Sequence, residues 1–359
     1  MTTLDASNLE RLARGCAVLG AGGGGDPHVA LMMSLLAVDR HGPVPLVQLD
    51  DLDPDGLIMP CGLIGSPTVT VEKIWGGNEG VALRDAVEGI SDRSVVAVMC
   101  YEIAGSNGLL PVAWAADLGL PLLDADGMSR AFPEMQQQTM HLAGISASPL
   151  VLVDEYHNRV IVEAQTNEWI ERLARRIVPT FGGVAAASLY RMTVAQAAAA
   201  QANGGLSRGS VTRALAIGEA LASAQGDAVA TLTEAVGGVE LLSGKVTDVQ
   251  RRAARGFARG NALIEGTGPY TGSLLRLELQ NEALVALRDG EVVATVPDII
   301  SVLDSQTAVA IGTERLRYGQ AVNVVALPSD PAWKTERGLE VAGPRAFGYE
   351  LSYVPFATA

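Results

Sequence analysis

Four segments of the chain combine acidic side chains with glycine in patterns that could do chemistry. The first is GAGGGGDPH, Gly20 to His28. Glycine permits positive φ and lets backbone approach a ligand closely. Asp26-Pro27 then has the form of a helix start, with Asp as cap and Pro at the first helical position. Free N–H groups at such an end suit an anion. No Lys follows in the place a phosphate-binding P-loop requires, and the segment before the glycines reads as a helix, so a dinucleotide site is a weak reading. The competing reading is a tight helix–helix connection in which Asp26 serves only its own helix.

The second segment, CGLIGSPTVTVEK, runs from Cys61 to Lys73. A strand ends in glycine and leads to Glu72, and ligands in open α/β sheets sit beyond strand C-termini. Cys61 lies in an apolar run, which favours a core thiol over a nucleophile. The third, MCYEIAGSNG, delivers Glu102 at the end of a β run, followed by Gly105 and Asn107. A carboxylate beside adaptable backbone and an amide suits a general base with a polar donor. The fourth, LLDADGMSRAFPEM, places Asp124 and Asp126 two residues apart, on one face if the strand continues. Paired carboxylates repel unless a proton, an arginine or a metal compensates, and Arg130 is close in sequence. The four histidines, His28, His41, His141 and His157, form no HxH or HExxH spacing. A metal site would have to be assembled from distant segments. His141 is the best placed of the four.

These segments need a scaffold. Asn8 reads as the cap of a helix running to about Leu19. A second helix from Pro27 should bury Leu31, Leu35 and Val38. Apolar runs at 44–49, 57–64, 95–101 and 120–124 read as strands, and 80–89 and 110–118 as helices. That alternation predicts an α/β domain with a mostly parallel sheet. Runs 150–153 and 160–163 flank a hairpin. Asn167 should cap a helix with Ile170, Leu173, Ala174 and Ile177 on one face. Residues 180–202 are rich in Gly and Ala. Ser210 and Asp227 should cap two further helices. Runs 274–279, 283–288 and 291–296 read as a meander with an Asp289-Gly290 turn, and 322–327 as another strand. The expected division is 1–165, an α/β domain carrying the glycine and acidic motifs, and 166–359, an α+β, β-rich domain with a helical insertion around 205–237.

Composition bounds the function. The chain has 359 residues, 26 Lys+Arg against 40 Asp+Glu and a net charge of −14. An acidic surface repels phosphate backbones, so no nucleic acid is expected. Aromatics make up 4%, too few for base stacking along a groove. Hydrophobic residues at 48% support sizeable cores. Three separated cysteines, Cys16, Cys61 and Cys100, argue against a disulfide framework. No stretch has the make-up of a signal peptide or membrane span, so a cytoplasmic protein is expected.

Taken together, the segments resemble the S-methyl thiohydantoin desulfurase-like family. The matching stretches are GAGGGGDP (20–27), GLIGSPTVTVEK (62–73), EIAGSN (102–107), DADGMSRAFPE (124–134), VPDIISVLD (296–304), TERLRYGQAVNVVALP (313–328) and GPRAFGYE (343–350). The resemblance covers nearly the whole chain and implies an N-terminal α/β domain followed by a β-rich one. Its patterned positions fall on Gly22–Gly25, Asp26, Glu72, Glu102, Asn107, Asp124, Asp126, Arg130 and Glu134. Here the sequence departs from the pattern at His28, where an aromatic residue is commoner, and at Ala104-Gly105, where two glycines are commoner. The family's link to hydantoinase and oxoprolinase subunits implies small cyclic amides or thio-amides as substrates. It also implies, as an alternative role, a non-catalytic partner of a hydantoinase-type subunit.

The resulting expectation is a hydrolase of a five-membered cyclic (thio)imide or amidine. Glu102, Asp126 and Glu72 are the candidate catalytic acids and bases. Gly23, Gly24, Asp26, Asn107 and Arg130 are the candidate substrate contacts. A divalent metal, most simply zinc, would be held by His141, Asp124 and Asp126. A homo-oligomer is expected, and the Gly/Ala-rich stretch 180–202 suggests either tight packing or subunit contact.

Overall fold

The computed structural model of the chain describes residues 2–66, 69, 72–73, 75–254 and 257–357. Four strands run parallel in the first sheet, side by side in the order Val44–Val47, Leu122–Leu123, Val95–Cys100 and Leu57–Gly65. Their apolar runs are buried on both faces, as a parallel sheet covered by helices requires. Val184–Ser188 pairs antiparallel with Leu57–Gly65, and Leu150–Val153 and Arg159–Val162 extend that edge. The alternation of helix and strand is therefore realised as an α/β layer with a mixed sheet.

The helix before the glycine loop, Leu9–Leu19, crosses Ser210–Ser223 at very short range. A Cβ on Gly15 would lie 1.8 Å from the Ala214 carbonyl oxygen, and one on Gly218 would lie 1.8 Å from that of Arg11. Each helix thus needs its own glycine for the backbones to touch. Pro27–His41 packs on Leu110–Leu118. Its buried face is Ala30, Ser34, Ala37 and Val38, rather than Leu31 and Leu35, which are half-buried. Small side chains allow the close approach, and Ser34 Oγ donates to the Leu109 carbonyl at 2.9 Å.

The C-terminal part forms an antiparallel sheet that curls like half a barrel. Among the described residues it has seven strands, in the order Glu291–Thr295, Glu282–Arg288, Leu274–Gln280, Phe257–Gly266, Val239–Ala254, Ala321–Leu327 and Ile299–Asp304. Leu242, Val246, Ile264, Leu277, Ile300 and Val324 belong to its core. The expected Asp289-Gly290 turn is present. Both residues have positive φ, 54° and 89°, which a two-residue hairpin of this hand requires.

Two helix starts differ from expectation. Thr166, not Asn167, caps Asn167–Ile177. The Asn167 side chain instead accepts from Ala147 N and donates to Ile145 O, tying down a neighbouring loop. In that helix Leu173 is exposed, and Ile170, Glu171 and Ala174 are buried. Gly209, not Ser210, stands at the cap of Ser210–Ser223, and the capping acceptor comes from elsewhere in the chain. No helix among the described residues is long and apolar enough to cross a membrane.

Candidate active site

The glycine loop joins three distant segments. Ala283 N donates to Ala21 O at 2.8 Å, Thr313 N to Gly22 O at 2.9 Å and Ser106 N to Gly24 O at 2.9 Å. Ser106 Oγ also donates to Asp26 O at 2.6 Å. Gly24, at φ 75°, is pressed onto the backbone of Ala104, where an added Cβ would sit 2.7 Å from the carbonyl oxygen. The loop therefore forms a wall shared by the 102–108 turn, the strand start at Glu282 and the 312–315 turn.

On one side of this wall lies a cavity of about 70 Å³. Its lining includes Gly24, Gly25, Glu102, Asn107, Glu134 and Glu282. It is far smaller than the roughly 300 Å³ at which ligand pockets usually begin. That is too little space for a whole nucleotide within this cavity. On the other side lies a larger cavity of 440 Å³, lined by Gly22, Gly23, Asp26, His28, Glu314 and Arg315 among others.

Glu102 reaches the small cavity from the end of Val95–Cys100. One carboxylate oxygen, Oε1, accepts from Asn107 Nδ2 at 2.5 Å. Asn107 is itself fixed, because its Oδ1 accepts from Leu63 N at 2.6 Å and its Nδ2 also reaches Tyr101 Oη at 3.2 Å. Tyr101 Oη donates in turn to Leu63 O. Glu102 Oε2 is buried and finds no hydrogen-bond partner among the described residues. Burial pushes the Glu102 carboxyl up to about 8; the Asn107 amide pulls the other way, the Asp126 charge adds to the rise and Arg130 opposes it.

Asp126 lies next to this turn but does not line the cavity. Its Oδ2 accepts from Ile103 N, Met128 N and Ser129 N at 2.8–3.0 Å. Those bonds staple the 102 turn to the 126–130 turn. Burial raises Asp126 to about 7, and the three N–H groups act to lower it. Its Oδ1 has no hydrogen-bond partner among the described residues, so Asp126 ties the two turns together from outside the cavity lining.

Arg130 is fully buried. Its Nε donates to Ala131 O at 2.9 Å, and Nη1 donates to Pro297 O and Asp298 O at 2.7 and 2.8 Å. Its guanidinium lies 4.6 Å from the Phe132 ring centre. Burial lowers its pKa to about 10, while the Glu282, Asp298 and Glu102 charges act to raise it. Arg130 is not part of the cavity's lining, and its Nη2 has no hydrogen-bond partner among the described residues.

The remaining expected site residues lie apart from the cavity. Asp124 supplies the missing cap of Ser210–Ser223: Oδ1 accepts from Val211 N and Thr212 N, both at 3.0 Å, and Oδ2 from Thr212 Oγ1 at 2.6 Å. Asp26 caps its own helix through His28 N at 2.9 Å and pairs with Arg315. Gly23 belongs to the larger cavity's lining. Glu72 is exposed, beside positions that lie outside the described residues. His141 is held by Asn167 Nδ2 at 2.9 Å and faces Glu168 at 3.8 Å. His141, Asp124 and Asp126 thus do not converge, and both Asp124 oxygens already have donors. Among the described residues no three His, Cys, Asp or Glu side chains are grouped to hold a metal ion. Cys16, Cys61 and Cys100 are buried free thiols, and burial pushes each well above its ordinary pKa.

Sequence reasoning missed Glu282. It begins a strand of the C-terminal sheet, is buried, and lines the cavity opposite Glu102's segment. Its Oε2 has no hydrogen-bond partner among the described residues. A Cβ on Gly23 would meet its Oε1 at 2.2 Å, so that glycine makes room for a carboxylate. The available signal was slight: Glu282 lies in the short polar link 280–282 between the runs 274–279 and 283–288, to which the meander reading gave no role.

A layered α/β half and a curled antiparallel half, meeting over buried acids at a glycine wall, define the class of protein. Residues 7–164 match the S-Me-THD-like N-terminal domain and residues 165–356 the S-Me-THD-like C-terminal domain. The chain belongs to this S-methyl thiohydantoin desulfurase-like family. Its fold is similar to that in a crystal structure of a protein from Chromobacterium violaceum, at a TM-score of 0.79 and 23% identity, covering 99% of this chain and 100% of that one. None of the curated proteins matches the chain.

Proposed function

We propose that the protein hydrolyses a five-membered cyclic (thio)imide or amidine such as an S-methyl thiohydantoin, releasing a thiol and a hydantoin. The observation that carries this reading is Glu102: a buried carboxyl with one oxygen fixed by Asn107 and the other unpaired, in a small cavity. Membership of the S-Me-THD-like family supplies the substrate class. The ring carbon bearing sulfur lies between two nitrogens and is a poor electrophile, so the attacking water needs a base. Glu102 is that base, and its raised pKa makes it a stronger one than an exposed glutamate. Asn107 aims it. Asp126 and Arg130 hold the turns and the charge around it.

The test is methanethiol release by the purified protein from S-methyl thiohydantoin, with hydantoin and thiohydantoin analogues as comparisons. Glu102→Gln should lower turnover by about 100-fold or more. Absence of thiol release by the wild-type protein from any S-methyl analogue would refute the reading.

A further inference from the structure

Glu102 does not face the cavity alone. Glu282 enters it from the other half of the chain, and each of the two carboxyls keeps one buried oxygen without a hydrogen-bond partner among the described residues. The neighbouring charges are accounted for elsewhere. Asp298 pairs with Lys334 Nζ at 2.9 Å. Glu171 pairs with Arg175 at 2.5 Å. Asp126 takes three N–H groups on Oδ2 and lies in the field of Arg213; its Oδ1 has no hydrogen-bond partner among the described residues, but Asp126 does not line the cavity. Glu134, at the cavity rim, accepts from Gln136 Nε2. Tyr101 donates to a backbone carbonyl. Arg175 also lines the cavity and its field reaches Glu282, but its charge is matched by Glu171. Among the described residues that leaves the charge of one buried cation, Arg130, for two buried carboxyls, Glu102 and Glu282, and its field reaches both, Glu282 most strongly. One negative charge in the pair is compensated and a second is not, so as pH rises through about 8 the pair releases one proton and keeps the other. The Asn107 amide settles where the negative charge goes, because it donates to Glu102.

We infer that Glu282 is the general acid of the site: it keeps the retained proton and delivers it to the departing sulfur, while Glu102 activates water from the other half of the chain. This rests on the hydrolase reading above. In the first step Glu102 takes a proton from water, the oxygen–carbon bond forms and the carbon–nitrogen π pair moves to the ring nitrogen, which receives the proton from Glu102. In the second step the carbon–sulfur bond breaks as the hydroxyl becomes a carbonyl. The sulfur leaves with its electron pair and takes the proton of Glu282, which is restored by the hydroxyl proton. One water is consumed, and one thiol and one ring amide are formed.

The experiment compares two leaving groups. An S-methyl thiohydantoin must expel a basic alkanethiolate, whereas an S-(4-nitrophenyl) analogue expels a stabilised thiolate that needs no proton. Glu282→Gln should slow methanethiol release by about 100-fold or more, and 4-nitrothiophenolate release by less than about 10-fold. Glu102→Gln should slow both. Equal loss on both substrates in Glu282→Gln, or no loss on either, overturns the assignment while the hydrolase reading stands. Wild-type protein that releases neither thiol overturns the hydrolase reading and this assignment with it. A second measurement needs no variant. Across S-aryl and S-alkyl analogues, wild-type rates should vary little with the acidity of the leaving thiol, and a steep dependence refutes proton delivery at sulfur.

Discussion

Replacing Glu102 by Gln should make the protein more stable at alkaline pH while removing its turnover. Gln keeps the shape of the side chain, and its oxygen can still accept from Asn107 Nδ2. What it removes is the cost of ionising a buried carboxyl. Burial lifts Glu102 from 4.5 to about 8, so between those pH values the folded chain holds a proton that the unfolded chain has released. Stability therefore falls as pH rises through that window, by about 1.4 kcal/mol per pH unit. The full contribution of Glu102 is present below pH 4.5 and has been lost by about pH 8, a change of roughly 4 kcal/mol. Urea unfolding of both proteins at several pH values from 5 to 8.5 reads this contribution as the difference between them, since the groups outside the field of Glu102 titrate alike in both. The stability difference should open in favour of Glu102→Gln as pH rises, reaching roughly 3–4 kcal/mol near pH 8. Parallel curves with a constant offset would show that Glu102 is not held protonated and would remove the basis for its role as a strengthened base.

Three further outcomes are expected. Asp124→Ala should cost about 3 kcal/mol in urea unfolding, combining a lost helix cap with orphaned donors at Val211 and Thr212. Asp124→Asn, which keeps an acceptor at the helix start, should cost only about 1 kcal/mol; equal losses would refute the capping role. Arg130→Met should destabilise by about 3–5 kcal/mol, since it strips three carbonyls of their donors and leaves two carboxyls uncompensated; a loss under about 1 kcal/mol would contradict that account. Gly24→Ala should cost more than about 2 kcal/mol, because φ is 75° and the new Cβ meets backbone. Gly23→Ala, whose Cβ meets the movable end of Glu282, should lose less stability and more turnover, read from thermal unfolding and initial rates side by side.

The legible parts of the fold were those governed by local chemistry. Asp26-Pro27, Asp227 and Asp289-Gly290 each carry their own signal, a cap or a turn that works wherever the chain goes. The buried β runs were legible because apolar runs of that length have few alternatives. Val184–Ser188 was hidden because Val-Ala-Ala-Ala-Ser has the composition of a helix, and only its pairing to Leu57–Gly65 makes it a strand. The site divides the same way. Glu102 and Asn107 are five residues apart and meet within one turn, so spacing could suggest them. Asp124 looked like half of an acidic pair, but its purpose is set by a helix starting at Ser210. A side-chain cap supplied across more than 80 residues leaves no local trace.

Glu282 shows why a two-sided site resists sequence reading. In its own segment it is a glutamate at a hairpin, the usual place for a solvated charge. It becomes chemically interesting only because the glycine loop of the other half closes over it, with Gly23 against its carboxylate and Gly24 against the Glu102 turn. The run of glycines looked excessive for a turn, and contacts with three segments account for the excess. Gly22 abuts Thr313, Gly23 abuts Glu282 and Gly24 abuts Ala104, so each touches a different segment closely enough that an added Cβ would force a neighbour to shift. Burying two carboxyls over one guanidinium is costly unless a proton stays behind. The loop makes that burial possible, and under the proposed mechanism the retained proton gives the cavity an acid beside its base.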